Sequence, residues 1–303
     1  LQKIEIQNTE TAEIIVPDIL PPTDDTVFKA LLTHPDANRV LKDVIESVLE
    51  MKIENVQVRN NELPITHILE KQERFDVNCL TSNGKQIEIE MQSTKMQGDS
   101  LQNEYEIFKN RIVYCLCDLH AKQKGKGLNF DELLKSYQIS FCNFVMFDNN
   151  DLINKFNMRN QSGLKLSDSV TAVSIEVPKL GDVLAKPITE MSAIEIWTMF
   201  FAHADNPQFK AKIGETMRVK EEIAMATEIL NTISKDEHAI AKYRARRKWE
   251  ADLTTNLSVS RRLGKEEGRQ EGILIGRQEG IQETIERFRR GGMSDEEINK
   301  FLH

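Results

Sequence analysis

No run in the chain approaches the roughly 18 consecutive apolar residues that a membrane helix needs. The N-terminal LQKIEIQNTETAEIIVPDIL also lacks the basic-then-apolar order of a signal peptide. Together these absences predict a cytoplasmic protein with no membrane partner. The first residue is Leu1 rather than an initiator Met, as in a processed or trimmed product. Cysteine is scarce: Cys79, Cys115, Cys117 and Cys142 form neither zinc-type CxxC pairs nor a dense disulfide pattern, and the six histidines are scattered. That argues against a Cys/His zinc centre and a disulfide scaffold, and it predicts buried thiols. Positive charge is short as well. The formal net charge of -8 argues against bulk attraction to nucleic acid, although a sum can hide local patches. KYRARRK (242–248), SRRLGK (260–265) and RFRR (287–290) are such patches, and each reads equally well as a solvated helix face or a phosphate-binding one.

What is present is ordinary for a globular protein. The 303 residues are 40% hydrophobic and 29% charged, enough for one large domain or two smaller ones with a sizeable core. Residues 1–22 read as an N-terminal arm. TDDTVFKALL then offers Asp or Thr caps for a first helix, and NRVLKDVIESVLEM carries Val40, Leu41, Val44, Ile45, Val48 and Leu49 at the spacing of a core-facing stripe. KIENVQV predicts a strand, and DSLQNEYEIFKNRIVYCLCDLH predicts a long helix capped by Asp99 with Gln102 three residues on. YQISFCNFVMF, with little alternation, reads as a strand covered on both sides, and TAVSIEV reads as another. The region 23–190 is therefore an α/β core. Beyond it, 191–258 is a helical region, opened by a capping box of Ser192 and Glu195.

The last segment, 259–303, holds a glycine ladder: Gly264, Gly268, Gly272, Gly276 and Gly280 recur every four residues. Each glycine inside a helix costs about 1 kcal/mol relative to Ala. Five of them predict either a frayed tail or a helix that needs a second backbone beside it, which makes the tail a candidate for homo-oligomer formation. RRGGMSDEEINKFL closes with Gly291-Gly292 as a stop and a further capping box of Ser294 and Glu297.

The stretch RFDVNCLTSNGKQIEIEMQ (74–92) carries the most chemistry. Side chains alternate along a strand, so loop length decides which residues face each other. A two-residue Asn83-Gly84 turn would mix polar and apolar groups on each face. A three-residue Ser82-Asn83-Gly84 loop, with Gly84 in the left-handed position, sets Val77 against Ile89 and Cys79 against Ile87. The other face then sets Asp76 against Glu90 and Asn78 against Glu88, with Gln92 beside Glu90. Directly opposed Cβ atoms lie roughly 4.5 to 5.5 Å apart, so the two acids need a divalent cation, a shared proton or plain solvent to coexist. A hard cation between them would lower the pKa of water and neutralise a scissile phosphodiester. A half-exposed hairpin with a solvated polar face is the bland alternative.

In the order and spacing of DTVFKALL (25–32), this hairpin, RIVY with Arg111 and Tyr114, YQISFCNFVMF and the GRQEG tail, the chain resembles the bacterial recombination-promoting nuclease and putative transposase family of the PD-(D/E)xK nuclease superfamily. That resemblance covers most of the chain. It implies a restriction-endonuclease-like core, a central mixed sheet flanked by helices, followed by a helical C-terminal region. It also implies a metal-dependent DNA endonuclease linked to recombination or transposition, with Mg²⁺, or Mn²⁺, held by Asp76 and Glu90. Gln92 takes the position two after Glu90, where the superfamily usually has Lys and the family commonly has Gln. Gln brings hydrogen bonds but no charge, so positive charge must come from the metal, from Lys29 or Lys95, or from a basic group brought in from elsewhere. Asp25, Arg111 and Tyr114 count as supporting residues, although a helix-surface Lys29 or Arg111 is also compatible with a purely structural role. A DNA-binding or protein-interaction module of weak activity on the same scaffold is the competing reading.

Overall fold

The computed structural model describes residues 18–59, 77–93, 101–123 and 129–302. Two compact units make up the chain, Leu1–Tyr243 and Arg244–His303. In the first, α1 (Asp25–Leu32) and α2 (Asn38–Leu49) lead into β1 (Val56–Val58), the hairpin strands β2 (Val77–Thr81) and β3 (Gln86–Gln92), and α3 (Leu101–Ala121). Then come β4 (Ser136–Cys142), β5 (Ile153–Arg159) and β6 (Lys165–Glu176), followed by α4 (Ala193–His203), α5 (Lys210–Val219) and α6 (Glu221–Lys235).

The six strands form one mixed sheet in the order β1-β2-β3-β4-β6-β5. β3, β4 and β6 run parallel, while β1 and β2 on one side and β5 on the other are antiparallel to their neighbours. A parallel β3–β4 pair needs a crossover, and α3 provides it.

Local chemistry explains the elements. Asp24 caps α1 by accepting from the amides of Thr26 at 3.0 Å and Val27 at 3.3 Å. The predicted stripe of α2 is buried at Val40, Leu41, Val44, Ile45 and Val48, and the helix stops at Glu50, whose φ of 53° is left-handed. The hairpin takes the three-residue loop: Val77 faces Ile89, Asn78 faces Glu88 and Cys79 faces Ile87. Gly84 sits at φ +81°, a left-handed conformation that favours glycine, and a Cβ there would press on the end of the Leu134 side chain, which would have to move. Ser192 and Glu195 form the expected capping box of α4. The Asp99 cap proposed for α3 lies outside the described residues.

Two layers cover the sheet. On one face, Ile87, Ile89, Met91, Ile139, Phe141, Val173 and Ile175 pack under α1, α2, α4 and α6 in a single core. Its centre is aromatic: Phe28, Phe141 and Phe201 meet at centroid distances of 5.1 to 5.7 Å, and Trp197 stacks on Phe201 at 5.5 Å. The Trp197 indole donates to Asp43 at 2.6 Å, and Lys220 neutralises the same carboxylate at 2.7 Å. The helices after residue 190 thus complete the core of the sheet. On the other face α3 lays Phe108, Ile112 and Leu116 against Phe144, Met146 and Ala172.

Two features depart from the sequence-based expectation. β4 is buried at all seven positions as expected, yet it does alternate, with Ser136, Gln138, Ser140 and Cys142 on one face and Tyr137, Ile139 and Phe141 on the other. β5, INKFNMR, has no counterpart in the sequence reading; as an edge strand it is largely exposed and its composition is polar. The glycine ladder lies inside one continuous helix, α7 (Glu237–Arg290), followed by α8 (Asp295–Leu302). No helix among the described residues is long and apolar enough to cross a membrane.

Candidate active site

The polar face of the sheet is built by parity. β3 turns Glu88, Glu90 and Gln92 to the side that β2 gives Asn78, and β4 and β6 continue the row with Gln138, Ser140 and Ser174. Because α3 covers this side, the row is not solvated. Glu90 is 3% exposed, Glu88 7%, and Gln138, Ser140 and Ser174 are buried. A buried carboxylate is stable only when paired and hydrogen-bonded.

Glu90 meets both conditions. Arg111 of α3 donates from Nη2 to Glu90 Oε2 at 2.6 Å, a charge-assisted contact. Ser140 Oγ donates to Oε1 at 2.8 Å, and Gln138 Nε2 adds a longer bond at 3.3 Å. The second terminal nitrogen of Arg111 reaches Gln92 Oε1 at 3.4 Å, so one guanidinium bridges both ends of the Glu90-x-Gln92 pair. The register of α3 makes this possible. Arg111 precedes Ile112 of the buried stripe and so stands at its margin, while two and a half turns later His120 Nδ1 meets Ser136 Oγ at 3.0 Å. Since Gln86 pairs with Ser136, α3 runs back along β3, from Gln92 toward Gln86.

The other sequence candidates fall as follows. Asp76 and Lys95 lie outside the described residues. Lys29 is in the last turn of α1, whose Phe28 packs on the opposite, apolar face of the sheet. Asp25 is buried in the first turn of the same helix, 5% exposed. Tyr114, one turn beyond Arg111, is 68% exposed. Ser140 and Gln138 were missed by the sequence reading, although the alternation S-x-Q-x-S was the available signal: polar residues at every second position of a strand sealed on both faces need something polar to hold.

Burial also sets the thiols. It pushes the Cys79 thiol up to about 12 and raises that of Cys142 further, so neither is a nucleophile near neutral pH. All four cysteines are free.

Glu90 and Gln92 offer oxygen donors alone, the set that suits a hard divalent cation, and the guanidinium already seated against both shows that positive charge is accommodated there. The residues present therefore fit such an ion in donor chemistry. Among the described residues no three His, Cys, Asp or Glu side chains cluster, so Glu90 would need a further ligand from elsewhere.

Nothing among the curated proteins or the solved structures matches the chain. A family model described as PD-(D/E)XK nuclease family transposase matches residues 22–260, from the N-terminal edge of α1 into α7. The mixed sheet flanked by helices is the restriction-endonuclease-like core that this family implies. With well over half its length inside that match and a buried glutamate on the central strand of its polar face, the chain belongs to the PD-(D/E)XK nuclease family transposases.

Proposed function

We propose that this nuclease-family chain is a divalent-metal-dependent DNA endonuclease of the cytoplasm, serving recombination or transposition. One observation carries the reading: Glu90 is kept almost wholly from water on a sheet face where Arg111, Ser140 and Gln138 each donate a hydrogen bond to it. A purely structural strand position would be occupied at lower cost by an apolar residue. Asp76 immediately precedes Val77 in the sequence, and the alternation of the hairpin sequence assigns it to the side of Glu90. On this reading Asp76 and Glu90 hold Mg²⁺ or Mn²⁺, and Gln92 orients the attacking water through its amide.

A divalent cation held by these carboxylates would supply charge neutralisation for the phosphate and a lowered pKa for the attacking water. In the hydrolysis itself the water oxygen forms a bond to phosphorus and the bond from phosphorus to the leaving sugar oxygen breaks. The proton lost by water is balanced by the one gained on that oxygen. Residues of the chain contribute by position: Ser140 and Gln138 fix the Glu90 carboxylate, and α3 shields it from bulk solvent.

Nicking of supercoiled plasmid tests the proposal. Wild type should nick with Mg²⁺ or Mn²⁺ and stop on chelation, and Asp76→Ala and Glu90→Ala should each lose at least about 100-fold, the scale of a removed metal ligand or preorganised charge. Folded wild type that binds DNA but nicks with neither metal would support the weakly active binding module instead.

A further inference from the structure

Charge that develops on a phosphodiester oxygen during cleavage is stabilised by a preorganised cation, and strand β3 supplies none: its polar face reads Glu88, Glu90, Gln92. The basic side chains near this face are largely committed to acids of their own. Lys109 pairs with Glu106 at 2.8 Å, Lys122 with Asp118 at 2.5 Å, and Lys179 with the buried Glu176. Arg111 differs, because its guanidinium is placed on the two residues of the site itself, Glu90 at 2.6 Å and Gln92 at 3.4 Å. Arg111 is also the outer member of its ion pair. Its side chain is 34% exposed and that of Glu90 4%, so a phosphate arriving from solvent meets the guanidinium first. A planar guanidinium suits carboxylate and phosphate oxygens alike.

We propose that Arg111 is the phosphate-contacting cation of this site, delivered from α3 in place of a strand residue: in the free protein it neutralises Glu90, and with DNA bound it gives that charge to a non-bridging phosphate oxygen. The proposal rests on the endonuclease reading above. It makes the Glu90–Arg111 pair a resting state in which the guanidinium competes with a divalent cation for the carboxylate. Neutralising Arg111 therefore leaves metal binding intact while removing a phosphate contact. A residue that merely supported the fold would do the reverse.

Three readouts test this on the full chain: Mn²⁺ affinity by calorimetry without DNA, affinity for a short duplex in Ca²⁺ as a function of salt, and single-turnover plasmid nicking in Mg²⁺. Arg111→Gln should bind Mn²⁺ at least as tightly as wild type. Its log-affinity slope for DNA should fall by about one phosphate contact, and it should nick about 100- to 1000-fold more slowly. Arg111→Lys should keep the slope and most of the rate, and adding Gln92→Lys to Arg111→Gln should recover at least about tenfold of the lost rate. Weakened Mn²⁺ binding with an unchanged salt slope in Arg111→Gln overturns the proposal, and so does a double variant no faster than Arg111→Gln alone. If Arg111→Gln does not fold, Arg111→Lys and the double variant keep a cation beside Glu90, and absence of nicking in both while folded and binding Mn²⁺ overturns it. Wild type without metal-dependent nicking overturns the endonuclease reading itself, whereas wild type and Arg111→Gln nicking equally well overturns only the assignment of Arg111.

Discussion

A carboxylate nearly sealed from water must be neutralised or held by donors, and Glu90 has both through Arg111, Ser140 and Gln138. On the proposed reading Gln92→Lys is better tolerated than Glu90→Gln, because the first adds a cation beside the site and the second removes a metal ligand. Plasmid nicking should show the smaller loss for Gln92→Lys, and equal losses would mean that the Gln92 amide has a role that a cation cannot fill. The buried thiols give a pH dependence whose sign follows from their direction of shift. Cys79 and Cys142 lose their protons less readily folded than unfolded, so the folded state holds more protons above the ordinary thiol range. Their contribution to stability is whole below about pH 8.5 and is lost as pH rises from there toward the folded values, by at most about 1.4 kcal/mol per pH unit per thiol. Urea unfolding between pH 8 and 11 should show that decline, with a shallower slope in Cys79→Ala. In the native protein a thiol reagent should modify Cys117, which is exposed, well before Cys79 and Cys142. The sequence expectation of buried thiols holds for Cys79 and Cys142 on the sheet and fails for Cys115 and Cys117 on α3, of which Cys115 is half-buried and Cys117 exposed, because the absence of a zinc or disulfide pattern does not say which helix face is packed. Sequence did not disclose Ser140 and Gln138 as partners of Glu90, since they lie some fifty positions away and meet it only through parallel pairing of β3 with β4.

At the scale of elements, turn and cap chemistry decides the geometry of the site. Gly84 closes the hairpin in a left-handed conformation and against Leu134, so Gly84→Ala should destabilise by at least about 1 to 2 kcal/mol, measured by urea unfolding. Loss of less than about 0.5 kcal/mol would mean that the loop relaxes to another register. Glu50 holds a comparable left-handed conformation at the end of α2 without being glycine, and it pairs with Lys155 at 3.1 Å across an exposed surface. Surface pairs contribute little. Glu50→Gly should therefore raise stability by a few tenths to about 1 kcal/mol, read as a higher urea midpoint. The hairpin register was readable from parity alone because one face had to be apolar, whereas the edge strand β5 was not, because an exposed edge imposes no such rule on its residues.

For the whole molecule, the division between catalysis and assembly is the proposal to test. The catalytic candidates all precede residue 112, while the five-glycine ladder of α7 has open space at every Cβ position within the chain. Exposed Leu263, Ile273, Leu274, Ile275 and Ile281 accompany it. On this basis we propose that the tail from about residue 259 serves self-association or DNA engagement, and a chain ending at Ser258 should then keep metal-dependent nicking of short DNA. It should lose oligomer mass in light scattering, or lose DNA affinity with a reduced salt slope. Nicking abolished with the circular dichroism of the fold intact would place part of the active site in the tail.

Sequence by itself determined the secondary elements with a strong period, the parity of the hairpin, the α/β class and the family, because these depend on residues close together in the chain or on their order along it. Tertiary structure alone decided that the polar face is buried under α3 and not solvated, that Arg111 bridges Glu90 and Gln92, and that the helices after residue 190 share the core of the sheet. The physical reason is that burial and ion pairing are properties of packed surfaces. A helix whose apolar stripe docks on β4 and β6 carries whatever stands at its margin onto β3, and nothing in the spacing of Glu90 and Arg111 along the chain specifies that meeting.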